Sequence, residues 1–365
     1  MAASTTLRSS SSTAPPLTLL GRRLIPLLLL VAAMAAAAAV EAAVPASAEQ
    51  AVRRVNRRGP FLGVVVPNGF EMDPLLRSPA FSPAKKLPHL DVAGRRFRFG
   101  MIGQKKVIIV MTGLGMLNSG VTTQLLLTLF DVEGIVHFGI AGNADPDLHI
   151  GDVTVPRYWG HTGLWNWQRH GDGPEKELAL ESNGDYTRKY GALNFSSYSV
   201  PAAGNLLNSV WYQPEEVFPA DGTPESRRHE FWVPVDDRYH QLSKKLEGMT
   251  LERCVNGTAT STATCLPRPP AVAHVERGCS ASVFVDNAAY RQFLRSRFGV
   301  TPIDMESAAV ALVALQQGTP FIAIRSLSDL AGGGSAESNE AGVFAALAAQ
   351  NAVAATVHFI SLLSS

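Results

Sequence analysis

Three cysteines in 365 residues are too few for a disulfide scaffold, and no Cys/His cluster has the spacing of a zinc site. Charge is scarce as well: 17% of residues are Asp, Glu, Lys or Arg, and the formal net charge is +1. There is no long Lys/Arg run and no basic stripe interleaved with aromatics, which argues against a nucleic-acid-binding surface. No internal repeat is present. Gly and Ala, by contrast, are plentiful, and they suit tight turns and close helix–sheet packing more than disorder. A chain of this length holds one large domain or two small ones, and either buries a substantial core.

The first fifty residues differ from the rest. Residues 1–20 are rich in Ser, Thr and Ala and contain no acid; Arg22 and Arg23 follow, and Leu24 to Val40 carries no charge. A basic flank, an apolar stretch and small-residue cleavage points after Ala42, Ala43 or Ala48 describe a secretory signal peptide. The expected division is a signal peptide over 1–43, a flexible mature N-terminus over 44–58 and one domain over 59–365. Secretion or vacuolar delivery follows from that reading, with no membrane attachment once the signal is cut. A signal anchor and an organellar transit peptide are the alternatives. In an oxidising compartment Cys254 and Cys265 could close a disulfide around Val255–Thr264, leaving Cys279 unpaired. Asn194-Phe-Ser196 and Asn256-Gly-Thr258 fit the glycosylation acceptor.

Beyond the leader, strand-like apolar runs alternate with helical patterns. Phe61–Val66, Val107–Met111, Ile135–Ile140, Val153–Val155 and Phe321–Arg325 read as strands. Asn118–Leu129, Asp304–Gln317 and Glu337–Leu363 read as helices. This alternation predicts an α/β domain with a central mixed sheet flanked by helices. Residues 159–242, rich in Trp, Tyr, Asn and Gly, read as an elaborated insertion. Trp159, Trp165, Trp167 and Trp211 either pack it internally or line a ligand entrance.

Two segments carry candidate chemistry. Asp304-Met305-Glu306-Ser307-Ala308-Ala309 opens a helix, and Ile324-Arg325-Ser326-Leu327-Ser328-Asp329 leaves a buried strand for Leu330-Ala331-Gly332-Gly333. Each sets a carboxylate where an element ends, and the carboxyl ends of strands are where open α/β sheets build sites. The alternatives are a turn or cap role for Asp329 and compensation of a helix dipole by Glu306.

These segments resemble the superfamily of nucleoside phosphorylases and methylthioadenosine/S-adenosylhomocysteine nucleosidases. The resemblance includes Gly63-Val64-Val65-Val66 through Glu71, Gly139-Ile140-Ala141-Gly142, Ile150-Gly151-Asp152-Val153 and Ser282-Val283-Phe284-Val285. In order, they cover most of residues 60–360. The chain is most similar to the bark and vegetative storage proteins of plants within that superfamily, through His161-Thr162-Gly163-Leu164-Trp165-Asn166-Trp167 and Leu327–Gly333. The resemblance implies that Met305 and Glu306 bind ribose and that Asp329 protonates the purine at N7. Ser328 pairs with Asp329, Phe284 and Val285 contact the base, and Glu71 activates water. Ile140, Ala141 and Gly142 form the pocket loop. It also implies a homo-oligomer in which a neighbouring subunit completes the pocket.

One position departs from the pattern. Phosphorolytic members carry Arg in the Gly-rich loop to hold phosphate and nucleosidases a small hydroxyl residue, whereas this chain has Ile140. Glu71, when ionised, also repels phosphate. Water is therefore favoured as nucleophile, with phosphate left open as a co-substrate, and neither a cofactor nor a metal is called for. Gly113-Leu114-Gly115-Met116-Leu117-Asn118 falls short of a dinucleotide fingerprint, because Asn118 replaces the third glycine. It reads instead as a turn shaping the pocket. Three functions fit this sequence: cleavage of the N-glycosidic bond of a purine-type nucleoside, nitrogen storage on the same fold with little or no turnover, and nucleoside binding without chemistry.

Overall fold

The structure, a computed structural model, describes residues 46–166, 192–194, 209–255, 264–332 and 340–364. The leader, Trp167 and Asn256 lie outside the described residues, and of Asn194 only the backbone is described. Residues Ala48–Ser365 form one compact unit.

The described residues begin with helix α1 (Ala46–Asn56), where a flexible segment is expected from the sequence. The reason is its apolar spacing: Ala48, Val52 and Val55 fall on one face and are buried, while Asn56 Nδ2 donates to the Leu129 carbonyl at 2.9 Å. There follow β1 (Phe61–Val66), α2 (Gly69–Arg77), β2 (Phe81–Pro83), β3 (His89–Val92), β4 (Arg95–Ile102), β5 (Lys105–Met111), α3 (Met116–Leu129), β6 (Val132–Asn143) and β7 (Val153–His161). The second half contributes β8 (Trp232–Pro234), α4 (Asp237–Ser243), β9 (Val272–Ser280), α5 (Ala288–Phe298), β10 (Val300–Asp304), α6 (Ser307–Gln316), β11 (Phe321–Asp329) and α7 (Glu340–Leu362).

These eleven strands form one mixed sheet. Strands β5, β1, β6 and β11 run parallel. Next to them the sheet closes on itself. β6 pairs with β11 and β11 with β7; β7 pairs with β9 and β9 with β10; β10 returns to β6 through Pro302–Asn143 and Ile303–Gly142. The near-continuous burial of β1 and β11 reflects strands covered on both faces. α7 is a single apolar helix whose Ala352, Val353, Phe359 and Ile360 join the same core cluster as Leu62, Val64, Ile322 and Ile324.

Several boundaries differ from the sequence reading. Asp304 ends β10 instead of starting a helix, and α6 begins at Ser307. Trp159 belongs to β7 and is fully buried, so the insertion starts later than residue 159. Strand β8, within 159–242, and helix α4, which begins there and ends at Ser243, are parts of the main fold, with β8 paired to β7. The rest of the described insertion includes a small antiparallel sheet of Trp165–Asn166, Ser209–Tyr212 and Ala192–Asn194. Trp165 packs edge-on against Tyr212 there. Cys254 and Cys265 are disulfide-bonded across a two-stranded ribbon, and Cys279 is free and buried.

Candidate active site

Because β1, β6 and β11 are parallel, their carboxyl ends lie together, and β1, β11 and the neighbouring β10 each lead to a carboxylate at the same place. After β1, the Asn68 side chain caps α2 by accepting the Glu71 N–H at 3.1 Å. This fixes Glu71 in the first helical turn, 2% exposed. Its Oε1 accepts the backbone N–H of Ile140, on β6, at 2.7 Å. Its Oε2 is buried and has no hydrogen-bond partner among the described residues. Burial raises the Glu71 pKa to about 7, against the opposing pull of Arg325.

After β10, Asp304 accepts the N–H groups of Glu306 and Ser307, each at 3.2 Å, and so serves as the side-chain cap that α6 needs. Glu306 is thereby freed to face the cavity. Its Oε1 accepts the N–H of Gly115 at 2.9 Å, presented from a backbone with φ of 91° that favours glycine. Burial, reinforced by Asp304, raises the Glu306 pKa to about 6.

At the end of β11, Asp329 Oδ1 accepts the N–H of Ala331 at 2.7 Å, and Ser328 Oγ donates to Oδ2 at 2.7 Å. Asp329 therefore has the turn contact that the structural alternative required, and it also faces the cavity.

Beneath these carboxyl groups lies Arg325, with no exposed surface. Its Nε is 2.7 Å from Asp304 Oδ2, and its terminal nitrogens are 3.8 Å from Glu71 Oε1 and 3.8 Å from Glu306 Oε2. One guanidinium thus compensates three buried acids, which suits a buried, permanently charged group better than phosphate capture. Gly139 is obligatory in this packing: a Cβ there would sit 2.1 Å from Arg325 Nη1 and 2.3 Å from Glu71 Oε1. His137, on β6, completes the set. Its Nδ1 is 2.9 Å from the Val65 carbonyl and its Nε2 meets Arg325 Nη2. Burial, with the nearby guanidinium, holds its pKa well below the ordinary histidine range. The neutral ring therefore donates from Nδ1 to Val65 and accepts from Arg325 at Nε2.

One cavity of about 250 Å³ is lined by Glu71, Ile140, Ala141, Gly142, Phe284, Val285, Met305, Glu306, Ser328 and Asp329 together. Sequence reasoning named all ten; Leu114, Val283 and Asp304, quoted in its motifs without a site role, also line it, as do Pro67, Asn68 and Ile303, and His137 was given no role. The Gly113–Gly115 turn was legible as a pocket element, though its bond to Glu306 was not. Phe284 is 67% exposed at the mouth, not a core aromatic. Trp159, Trp165 and Trp211 do not line this cavity, and Trp167 lies outside the described residues. A larger cavity of about 760 Å³ lies elsewhere, and its carboxylate Asp145 is already paired with Arg295. The unpaired chemistry is in the smaller one.

The fold is thus a mixed-sheet α/β domain with acids at the ends of three strands. The chain belongs to the phosphorylase superfamily, whose sequence model matches residues 61–361. It is 31% identical to bark storage protein A of Populus deltoides over 303 residues, 82% of this chain and 88% of that one. It is 26% identical to a 5′-methylthioadenosine/S-adenosylhomocysteine nucleosidase of Marinomonas sp., covering 68% of this chain and 79% of that one. Among solved structures, the native futalosine hydrolase of Helicobacter pylori shares the fold with a TM-score of 0.54 at 19% identity, covering 84% of this chain and 99% of that one. The nucleosidase of the same bacterium, solved with butyl-thio-DADMe-Immucillin-A, gives 0.53 at 19% identity, covering 82% and 97%.

Proposed function

We propose that this protein cleaves the N-glycosidic bond of a purine-type nucleoside, with water as the nucleophile. The observation that carries the proposal is the convergence of Glu71, Glu306 and Asp329 on one cavity. Asp329 gives its proton to N7 of the purine as the C1′–N9 bond breaks and its electrons move onto the base. Glu306 accepts from the ribose hydroxyls and holds the sugar in orientation. Glu71, with a pKa near neutrality, is poised to take a proton from water as its oxygen bonds to C1′. Its buried Oε2 has no protein donor among the described residues, which leaves that oxygen's hydrogen-bonding capacity unused by the fold. Phe284 and Val285 form the apolar wall for the base, and Met305 lies against the sugar.

Phosphate is disfavoured at this site because, among the described residues, the cavity is lined by Glu71, Asp304, Glu306 and Asp329 and by no cation. The test is release of free base from adenosine, inosine, methylthioadenosine and isopentenyladenosine, each with and without phosphate. Release that does not depend on phosphate supports the proposal; strict dependence on phosphate overturns the choice of water.

A second reading, nitrogen storage with little turnover, is favoured by the 31% identity to a bark storage protein. Failure to turn over any of the four nucleosides would favour it. On either reading we expect entry into the secretory pathway and self-association. The expectation of self-association rests on Phe70, Leu114, Leu117, Val121, Val283 and Phe284, large apolar side chains left exposed on α2, α3 and the loops at the cavity mouth.

A further inference from the structure

The chain holds a second concave site, opposite in charge to the first and at the other end of the sheet. It is a cavity of about 480 Å³ near the amino ends of β1 and β5, between α1 and the segment that follows β2. Its apolar surface comes from Val55, Phe61 and Phe99, which are buried, and from the half-buried Leu87 and Met101. Its rim carries Arg54, Arg58, Lys85, Lys86 and Lys106, and no acid among the described residues lines it. Five cations on one cavity stand out in a chain whose net charge is +1.

Ordinary structural roles account for little of this charge. Arg54 lies in the last turn of α1, where a cation complements the helix dipole. Lys106 Nζ donates to the Arg58 carbonyl at 2.7 Å. Arg54, Arg58, Lys85 and Lys86 form no ion pair among the described residues, although neighbouring Arg53 is paired with Glu49. Four uncompensated cations from separate segments thus surround an apolar hollow. A nucleic acid or other extended polyanion would call for a flat or groove-like stripe with the charge at its centre. Here the charge is at the rim and the centre is greasy. The volume lies within the usual range for small-molecule pockets, roughly 300–1,000 Å³.

We propose that this cavity binds an amphipathic monoanion, such as a long-chain carboxylate, with its apolar body on Val55, Phe61 and Phe99 and its head among the rim cations. The site is independent of the nucleoside cavity. Phe61 starts β1 and Pro67 follows its end, so the length of that strand, about 20 Å, separates them.

The experiment uses the purified protein and the fluorescent probe anilinonaphthalene sulfonate, displaced by dodecanoate, dodecanol or acetate. Dodecanoate is expected to displace the probe at least about tenfold more tightly than dodecanol, since a charge-assisted contact is present only for the anion. Acetate should not displace it, and adenosine should not compete. The exposed pair Lys85→Glu/Lys86→Glu should weaken dodecanoate by at least about tenfold while leaving the thermal melt unchanged. Equal affinity for dodecanoate and dodecanol, or dodecanoate binding unaltered by the charge reversal, overturns the proposal. So does binding to phosphatidylglycerol vesicles without binding of free dodecanoate, because that result marks a membrane-facing patch instead of a pocket. None of these readouts depends on nucleoside cleavage.

Discussion

Ile140 donates its backbone N–H to Glu71 Oε1 at 2.7 Å. The residue at the phosphate position of the loop therefore binds the candidate base through its main chain, and its apolar side chain is left to line the cavity. Substitution at 140 can alter what the loop accepts without releasing Glu71.

Asp329→Asn is expected to reduce base release by at least about 10²-fold, because an amide cannot supply the proton. The turn contact with Ala331 N–H survives, since Asn offers the same acceptor. The melt should therefore move by no more than the effect of a lost cap, about 1 kcal/mol. Single-turnover base release alongside thermal melts checks both. Turnover at the wild-type rate would remove Asp329 from the mechanism.

Glu71 links activity and stability to pH in opposite directions. Its carboxyl is raised from the ordinary carboxylate range to about 7, so the folded protein holds this proton while the unfolded chain releases it. The stabilising contribution is complete below the unfolded pKa and is lost as pH rises through about 7. The wild type should thus lose stability across that window, and Glu71→Gln should lose less, by an amount on the order of 3 kcal/mol. Catalysis runs the other way. Activity should rise as pH climbs through the window in which the base ionises, up to about 7, and Glu71→Gln should lack activity throughout. Melts and rates at each pH test the two slopes separately.

His137 and Arg325 form a further pair that can be dissected. Arg325→Met leaves Asp304, Glu71 and Glu306 uncompensated, and should cost roughly 3–5 kcal/mol of stability. His137→Leu leaves one guanidinium N–H without its acceptor, a loss of about 1–3 kcal/mol. His137→Gln, which restores an oxygen near the Nε2 position, should recover most of it. If Leu and Gln behave alike in denaturant melts, the bond between His137 and Arg325 contributes nothing measurable.

Leu117 is 80% exposed on α3. If a second copy covers this region, Leu117→Asp should shift the protein to a monomer in light scattering without unfolding it. A wild type that is already monomeric at micromolar concentration would count against the interface.

Asp329 was legible in the sequence because it stands just beyond a buried apolar strand, Glu306 because it opens an apolar helix, and Glu71 through the family resemblance. The strands β1, β6 and β11 were visible as uninterrupted apolar runs. Strand β10 was not: Val300-Thr-Pro-Ile-Asp304 carries a proline and two polar residues, and it is held by pairing with β9 and β6 rather than by its composition. Helix α1 was hidden because its short apolar face, Ala48, Val52 and Val55, is diluted by polar residues and follows a leader of different character. The Arg325–His137 contact joins residues 188 positions apart, and no local pattern reveals such a distance.

The position of β11 also bears on how the protein is made. This strand, Phe321–Asp329, pairs with β6 along most of its length and with β7 at Arg325 and Ser326, yet it is the last strand synthesised. Until it leaves the ribosome, the edges of β6 and β7 that it will cover are open to pairing with other chains. A nascent chain ending before Phe321 would already carry Glu71, Asp304 and Glu306 but would lack Arg325, the cation that compensates them. Three buried acids without their counter-charge disfavour early closure, so the ring should form late, when the segment bearing Arg325 and Asp329 arrives. Truncation series of increasing length should show soluble, protease-resistant protein only once that segment is included.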